Sequence, residues 1–294
     1  LIGIPLTSEN IIRALTMASL SGLLFAVGLR LTAGQVFQAV RRCRFALILV
    51  VNFLVVPVFA IAVIRLLGIG KELSIGMILL AASPFAPVVP VFVRLARADL
   101  ALAAGLTGFF PVLSAFVTPF VCEGALGIIS QSAEVRFDLL YILVTLVATI
   151  TTPLGLGVLI RHKAPRVAQR ALRKVEVASE AVGALSLTFV TVTEFHSVLQ
   201  TGWLALLAML LIYELCLASG YVAGGREQGA RQVIALGTSN RNIALALLIA
   251  IQGFGGTPVL SAVVANGLLL ILLGLLHVGW WRLTTKRTVS VTTE

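Results

Sequence analysis

The chain has 294 residues, 59% of them hydrophobic, with only 12% charged and a mean hydropathy of +1.06. Apolar runs of about 20 residues, enough to cross roughly 30 Å of hydrocarbon, recur along it and exclude an ordinary soluble domain. The formal net charge of +10 would suit a nucleic acid partner, but the basic residues are spread through the connections between apolar runs, which argues against one.

Nine spans are predicted, near residues 10–30, 43–66, 73–93, 99–121, 138–160, 175–197, 202–223, 231–251 and 258–281. Arg13 before residues 14–30 imitates a signal peptide, yet no A-x-A-like cleavage site follows and Arg30 opens a basic loop, so the stretch reads as the first span. The chain begins at Leu1 rather than Met, which leaves a preceding segment, even a further helix, open. The connections after spans 1, 3, 5 and 7, with the C-terminus, carry Arg30, Arg41, Arg42, Arg44, Arg94, Arg97, Arg161, Lys163, Arg166, Arg170, Arg173, Lys174, Arg226, Arg231, Arg282, Lys286 and Arg287. The other side has only Arg13, Arg65, Lys71 and Arg136. This asymmetry predicts an N-terminus outside and a C-terminus in the cytoplasm of an inner or plasma membrane.

The second span contains Asn52 and Pro57. The third contains Ser83-Pro84-Phe85-Ala86-Pro87-Val88-Val89-Pro90. Proline removes the amide that would bond four residues back, so Pro84, Pro87 and Pro90 free the carbonyls of Leu80, Ser83 and Ala86, which are suitable ligands for a cation or water. A single proline would read as a packed kink; three at a spacing of three read as a break. The fourth span holds Thr107, the seventh Glu214, and the eighth a second run of weak helix formers, Gly237-Thr238-Ser239-Asn240-Arg241-Asn242. The ninth carries Asn266. Taken singly, these polar residues suit helix packing.

Paired breaks at membrane depth point to an ion or solute site, because non-helical backbone is tolerated there only where protein or a watery cavity satisfies it. Setting spans 2–4 against spans 7–9 gives a shift of five, an odd number, so the copies run oppositely through the membrane as in an inverted-repeat secondary transporter. Arg241 lies near mid-membrane, where a charge costs about 2.5–3.5 kcal/mol on insertion scales and calls for a partner or a ligand. Glu214, deep in span 7, is the expected partner, or alternatively a lone proton-carrying carboxyl.

Cys43, Cys122 and Cys216 show no metal or disulfide spacing, and His162, His196 and His277 form no H-E-x-x-H motif. No cofactor, metal or enzymatic activity is predicted. The sparse polar residues do not supply the continuous polar path of a channel.

The order Gly28-Leu29-Arg30-Leu31-Thr32, Asn52-Phe53-Leu54-Val55-Val56-Pro57, Ala82-Ser83-Pro84, Arg97-Ala98-Asp99-Leu100-Ala101-Leu102 and Arg241-Asn242-Ile243-Ala244-Leu245-Ala246 resembles the bile acid:sodium symporter family over nearly the whole chain. The resemblance implies an all-α polytopic transporter domain of nine transmembrane helices spanning 1–294. Its core domain would lie within 43–123 and 200–281, its panel domain within 9–30, 136–161 and 173–197, with two broken helices crossing at the substrate and ion sites. It also implies transport of organic anions such as bile acids or small carboxylates, usually driven by sodium.

The departures are as informative as the matches. Val89-Pro90 stands where the family often has Ser-Asn, Gly237 where it has a sodium-binding Glu, and Arg241 where it has Gln. Asn52 occupies a sodium-ligating Gln position, and Thr107, Asn242 and Asn266 match polar positions of the ion and substrate sites. The substrate set is therefore expected to be Ser83, Pro84, Pro87, Thr238, Ser239, Asn240, Arg241, Asn242 and Asn266, with Asn52, Thr107, Glu214 and Arg241 forming the ion or coupling set. Arg241 would supply covalently the positive charge of a missing sodium ion. The expected function is alternating-access transport of organic anions with weak or no sodium coupling. The alternatives are a sodium-coupled symporter and a non-transporting membrane sensor on the same fold. Lipid, a small organic anion and either sodium or a proton are the expected partners.

Overall fold

The computed structural model describes residues 7–129 and 138–291. Arg136 lies outside the described residues. Every regular element among them is helical: α1 (Ser8–Arg30), α2 (Ala33–Arg42), α3 (Phe45–Val50), α4 (Val56–Leu66), α5 (Lys71–Ala81), α6 (Val89–Ala96), α7 (Leu100–Ile129), α8 (Leu139–Leu146), α9 (Thr152–Lys163), α10 (Pro165–Thr193), α11 (Phe195–Leu199), α12 (Trp203–Ala223), α13 (Gln228–Ser239), α14 (Ile243–Phe254) and α15 (Val259–Val291).

Two π-helical turns, Val51–Val55 and Val147–Thr151, join α3 to α4 and α8 to α9. Proline explains both. Pro57 and Pro153 cannot bond back to Phe53 and Thr149 and would collide with those carbonyls, so the preceding turn widens instead of breaking.

Eight helical rods are long and apolar enough to cross a membrane, rather than the nine expected. The predicted span at 73–93 is not among them, because it is divided into α5, of 11 residues, and α6, of 8. These rise only about 16 Å and 12 Å, less than a bilayer core. The rod Gln228–Phe254 is itself interrupted between Ser239 and Ile243. Both breaks are shorter than predicted. Val89 and Pro90 already belong to α6, since proline's missing donor is harmless in a first turn. Gly237, Thr238 and Ser239 still belong to α13. Helix α2 falls where a plain loop was expected. The Thr32–Gln35 capping box opens it, and Ala39 seats against Gly105 of α7.

Helix packing follows small residues, as it must where lipid gives no hydrophobic drive between helices. Gly28 of α1 and Gly157 of α9 touch backbone to backbone, and a Cβ on Gly157 would lie 2.9 Å from the Gly28 Cα. Gly22 and Gly183 admit the Ser179 and Ser19 side chains between α1 and α10. Likewise Gly76 brings α5 onto Ala262 of α15, and Gly220 brings α12 onto Thr238 of α13. Large apolar side chains such as Leu66, Leu140, Trp203 and Val222 are exposed, as a lipid-facing surface requires.

The two breaks meet. The Ala86 N–H donates to the Asn240 carbonyl at 3.1 Å, and the Asn242 N–H donates to the Ser83 carbonyl at 2.8 Å. The carbonyls freed by proline each accept a hydrogen bond within the protein. Leu80 accepts from Ser83 N–H, Ser83 from Asn242 N–H and Ala86 from Val89 N–H. Between these contacts Phe85 adopts a left-handed backbone, φ 55°, that costs a bulky residue about 1–2 kcal/mol. Its ring is fully buried, stacks on Phe110 with centroids 4.1 Å apart and packs against Gly237, where any Cβ would fall inside the ring's van der Waals envelope.

Gly237→Ala is thus an overpacking substitution and should lower the apparent unfolding temperature of the purified protein by an amount corresponding to about 1–3 kcal/mol. In a Phe85→Ala background the same change should cost nothing further, because the colliding ring is gone. An equal loss in both backgrounds would locate the clash elsewhere.

Candidate functional site

A crevice of about 390 Å³ separates α1 and α10 from the group formed by α6, α7 and α14. Pro87, Val88 and Pro90 bring the first break to its wall, and Ile243 and Ala244 bring the residues just after the second. Thr107 of α7 also lines it, with Thr16 and Ser19 of α1 and Ser186 of α10 across the gap. Most of these hydroxyls have protein partners: Thr107 donates to the Ala103 carbonyl at 2.7 Å, Ser19 to the Ser179 carbonyl at 3.1 Å, and Thr16 and Ser186 pair at 2.9 Å. The wall is accordingly largely apolar, with Leu23, Val27, Val91 and Leu247 filling it.

Charge enters at one end. Arg30, at the last turn of α1, ion-pairs with Glu176 of α10, while Arg94 of α6 and Glu180 of α10 also line the crevice. Beyond Arg30 and Arg94 a second cavity of about 560 Å³ opens, lined by Gln35, Gln38 and Arg42. At the opposite ends of the same helices two carboxylates tie across the gap. Glu9 accepts the Gly256 N–H at 2.6 Å, and Glu194 accepts the Ser261 hydroxyl at 2.8 Å. The crevice is thus flanked at one end by paired and free charges and at the other by short neutral-to-carboxylate bonds.

Of the residues predicted to bind substrate or ion, Pro87 and Thr107 line the crevice, whereas Ser83, Pro84, Thr238, Ser239, Asn240, Arg241, Asn242, Asn266, Asn52 and Glu214 do not. Most of these sit one layer behind, in the crossing. Ser83 bonds back to the Leu79 carbonyl at 2.7 Å and Asn240 to Leu236 at 2.9 Å. Asn242 caps α14 through the Leu245 N–H at 3.1 Å. Asn52, on the π turn, reaches Thr238 Oγ1 at 3.2 Å and so ties α3 to α13.

The expected Arg241–Glu214 pair does not form. Glu214 is half-exposed and lies 3.4 Å from His277 of α15, while Arg241 is buried and its Nη2 meets the Cys216 sulfur at 3.6 Å. The reason is rotational: Glu214 and Cys216, two residues apart on α12, project about 200° apart. A face that gives Cys216 to α13 gives Glu214 away from it. Arg241 Nε and Nη1 and Asn242 Nδ2 have no protein partner among the described residues, and neither has the Asn52 Oδ1 acceptor. Arg241 lies two residues beyond Ser239, the last residue of α13, and no carboxylate meets its guanidinium among the described residues.

Phe85 fills the space that a longer side chain at Gly237 would need, Val89 and Pro90 have no side-chain oxygen, and the Ser83 and Ala86 carbonyls each accept a hydrogen bond within the protein. The crevice charges were not anticipated. Arg94 reads as a loop cation, but Glu176 and Glu180, four apart in the predicted span 175–197, were a legible signal, since carboxylates inside a span face a partner or a cavity.

A sequence profile of the Sodium Bile acid symporter family matches residues 17–201, more than half of the chain. No curated protein matches the chain.

A buried guanidinium with two unpaired nitrogens is a liability for stability. Arg241→Met, close in length and apolar, should raise the apparent unfolding temperature by an amount corresponding to about 1–4 kcal/mol. A fall would mean that the charge is compensated and holds the crossing together.

Proposed function

We propose, on the premise that the chain belongs to the Sodium Bile acid symporter family, that it moves small or amphipathic organic acids across the cell membrane by alternating access. The observation that carries this reading is the crevice itself. Its wall is formed by the two interrupted helices on one side and by α1 and α10 on the other, with ties across the gap at one end only. A rocking of α1, α9 and α10 against the crossing would break the Glu9–Gly256 and Glu194–Ser261 bonds and open the opposite end. In this reading α1, α8, α9 and α10 form the panel, the remaining long helices form the core, and the interrupted α5–α6 stretch completes nine crossings in an inverted repeat. The excess of Arg and Lys at the Arg30 and Arg94 end puts that end in the cytoplasm.

Coupling to sodium is weak or lost. In the family's usual arrangement a bound cation places positive charge behind the substrate; here Arg241 takes that role permanently, and Phe85 occupies the ground of the missing carboxylate. A fixed charge needs no ion gradient to install it, so uptake follows the substrate's own gradient or exchange. Glu214 has turned away towards His277, which removes it from the coupling path.

Cholate uptake into proteoliposomes should change little when external sodium is replaced by N-methylglucamine at constant ionic strength. A steep, saturable sodium dependence would overturn the fixed-charge reading. Arg241→Gln keeps hydrogen bonding but removes the charge and should reduce uptake by about 10-fold or more, as expected for loss of a positive charge behind the crevice wall. Normal transport by this variant would make Arg241 purely structural.

A further inference from the structure

Four ionised side chains line the crevice: Arg30, Arg94, Glu176 and Glu180. Arg30 and Glu176 neutralise each other by an ion pair between α1 and α10. Arg94 and Glu180 remain. Neither makes an ion pair or a side-chain hydrogen bond among the described residues, and they stand on different walls, Arg94 on α6 just beyond the first break and Glu180 on α10. Glu180 lies one helical turn beyond Glu176, about 6 Å further along the helix and away from the Arg30 end. Aliphatic side chains such as Val91 and Leu247 line the same crevice.

A ligand bearing only an acid would satisfy Arg94 and face an opposing carboxylate. Both side chains are exposed, so water screens part of that juxtaposition, but the acid still meets like charge across the crevice and loses affinity by it. An amine alone meets the mirror-image problem. A ligand carrying both groups meets complementary charge on both walls and offers its hydrocarbon to the aliphatic lining between them.

We infer that the crevice selects amino acids in the broad sense, molecules with an acid group for Arg94 and an ammonium group for Glu180 joined by an apolar body. This rests on the proposed reading of the crevice as the transport path and ranks, among its organic acids, those that also carry an amine above simple acids such as cholate. Glu180 then acts as the specificity-determining residue. Removing its charge should widen the site to simple monoacids rather than weaken it towards all ligands.

Binding to purified protein in nanodiscs, measured by calorimetry, tests this with two matched sets: phenylalanine, hydrocinnamate and phenethylamine, whose charges are adjacent when both are present, and ε-aminocaproate, caproate and hexylamine, whose charges are at opposite ends. In at least one set the zwitterion should bind about 10-fold more tightly than either counterpart. Glu180→Gln should erase the preference over the acid, Arg94→Gln the preference over the amine, and Glu180→Asp and Arg94→Lys should restore part of each. If the acids bind more tightly than the zwitterions and Glu180→Gln leaves their ranking unchanged, the inference fails while organic acid transport stands. If no compound of either set binds, but cholate binds with Arg94 intact and equally with Arg94→Gln, the inference also fails. Absence of binding by all seven compounds would overturn the transport reading and this inference together.

Discussion

Two backbone hydrogen bonds, from Ala86 to Asn240 and from Asn242 to Ser83, hold the structure's central feature in place. Each helix interruption strands donors and acceptors that lipid cannot satisfy, and an unsatisfied backbone group in an apolar medium costs several kcal/mol. Neither break is tolerable alone. Each becomes tolerable when it supplies what the other lacks, so the crossing is a short, two-bonded meeting of extended segments enclosed by helices. That requirement brings the ends of α5, α6, α13 and α14 together and puts both Pro87 and Ile243 on the wall of the crevice.

What fills the crossing follows from the same geometry. Extended chain leaves room beside it, and here that room is taken by an aromatic ring and a guanidinium. Phe85, held at positive φ, lies between Phe110 and Gly237. Arg241 turns towards α12, its Nη2 against the Cys216 sulfur. Both are covalent parts of the chain where a diffusible ion would need oxygen ligands. The centre is consequently preformed, and the mobile chemistry shifts outward to the crevice walls, where Arg94 and Glu180 remain free to meet a solute.

Much of the architecture was legible in the sequence because the signals are long or chemically blunt. Some 20 apolar residues in a row can hardly be anything but a rod in lipid, and three prolines at a spacing of three cannot propagate a helix. Orientation around a helix axis is another matter. Glu214 and Arg241 both lie deep in their spans, yet which of the α12 side chains faces α13 depends on Gly220 meeting Thr238, a contact that local periodicity does not encode. The fate of the freed carbonyls was hidden for a similar reason, since the donor that satisfies Ser83 is Asn242, far along the chain. Within the site, polar residue types drew attention to the crossing, whereas the crevice lining is mostly aliphatic and looks like any lipid-facing surface when read as sequence.

The contact between Phe85 and Gly237 makes two distant positions interdependent. A longer side chain at the second cannot coexist with the phenyl ring as it stands at the first, so the two positions can be varied only together. Glu introduced at position 237 alone would disturb the crossing before it produced an ion site. The two positions therefore act as one choice, and a small residue at position 85 is the precondition for a carboxylate at position 237.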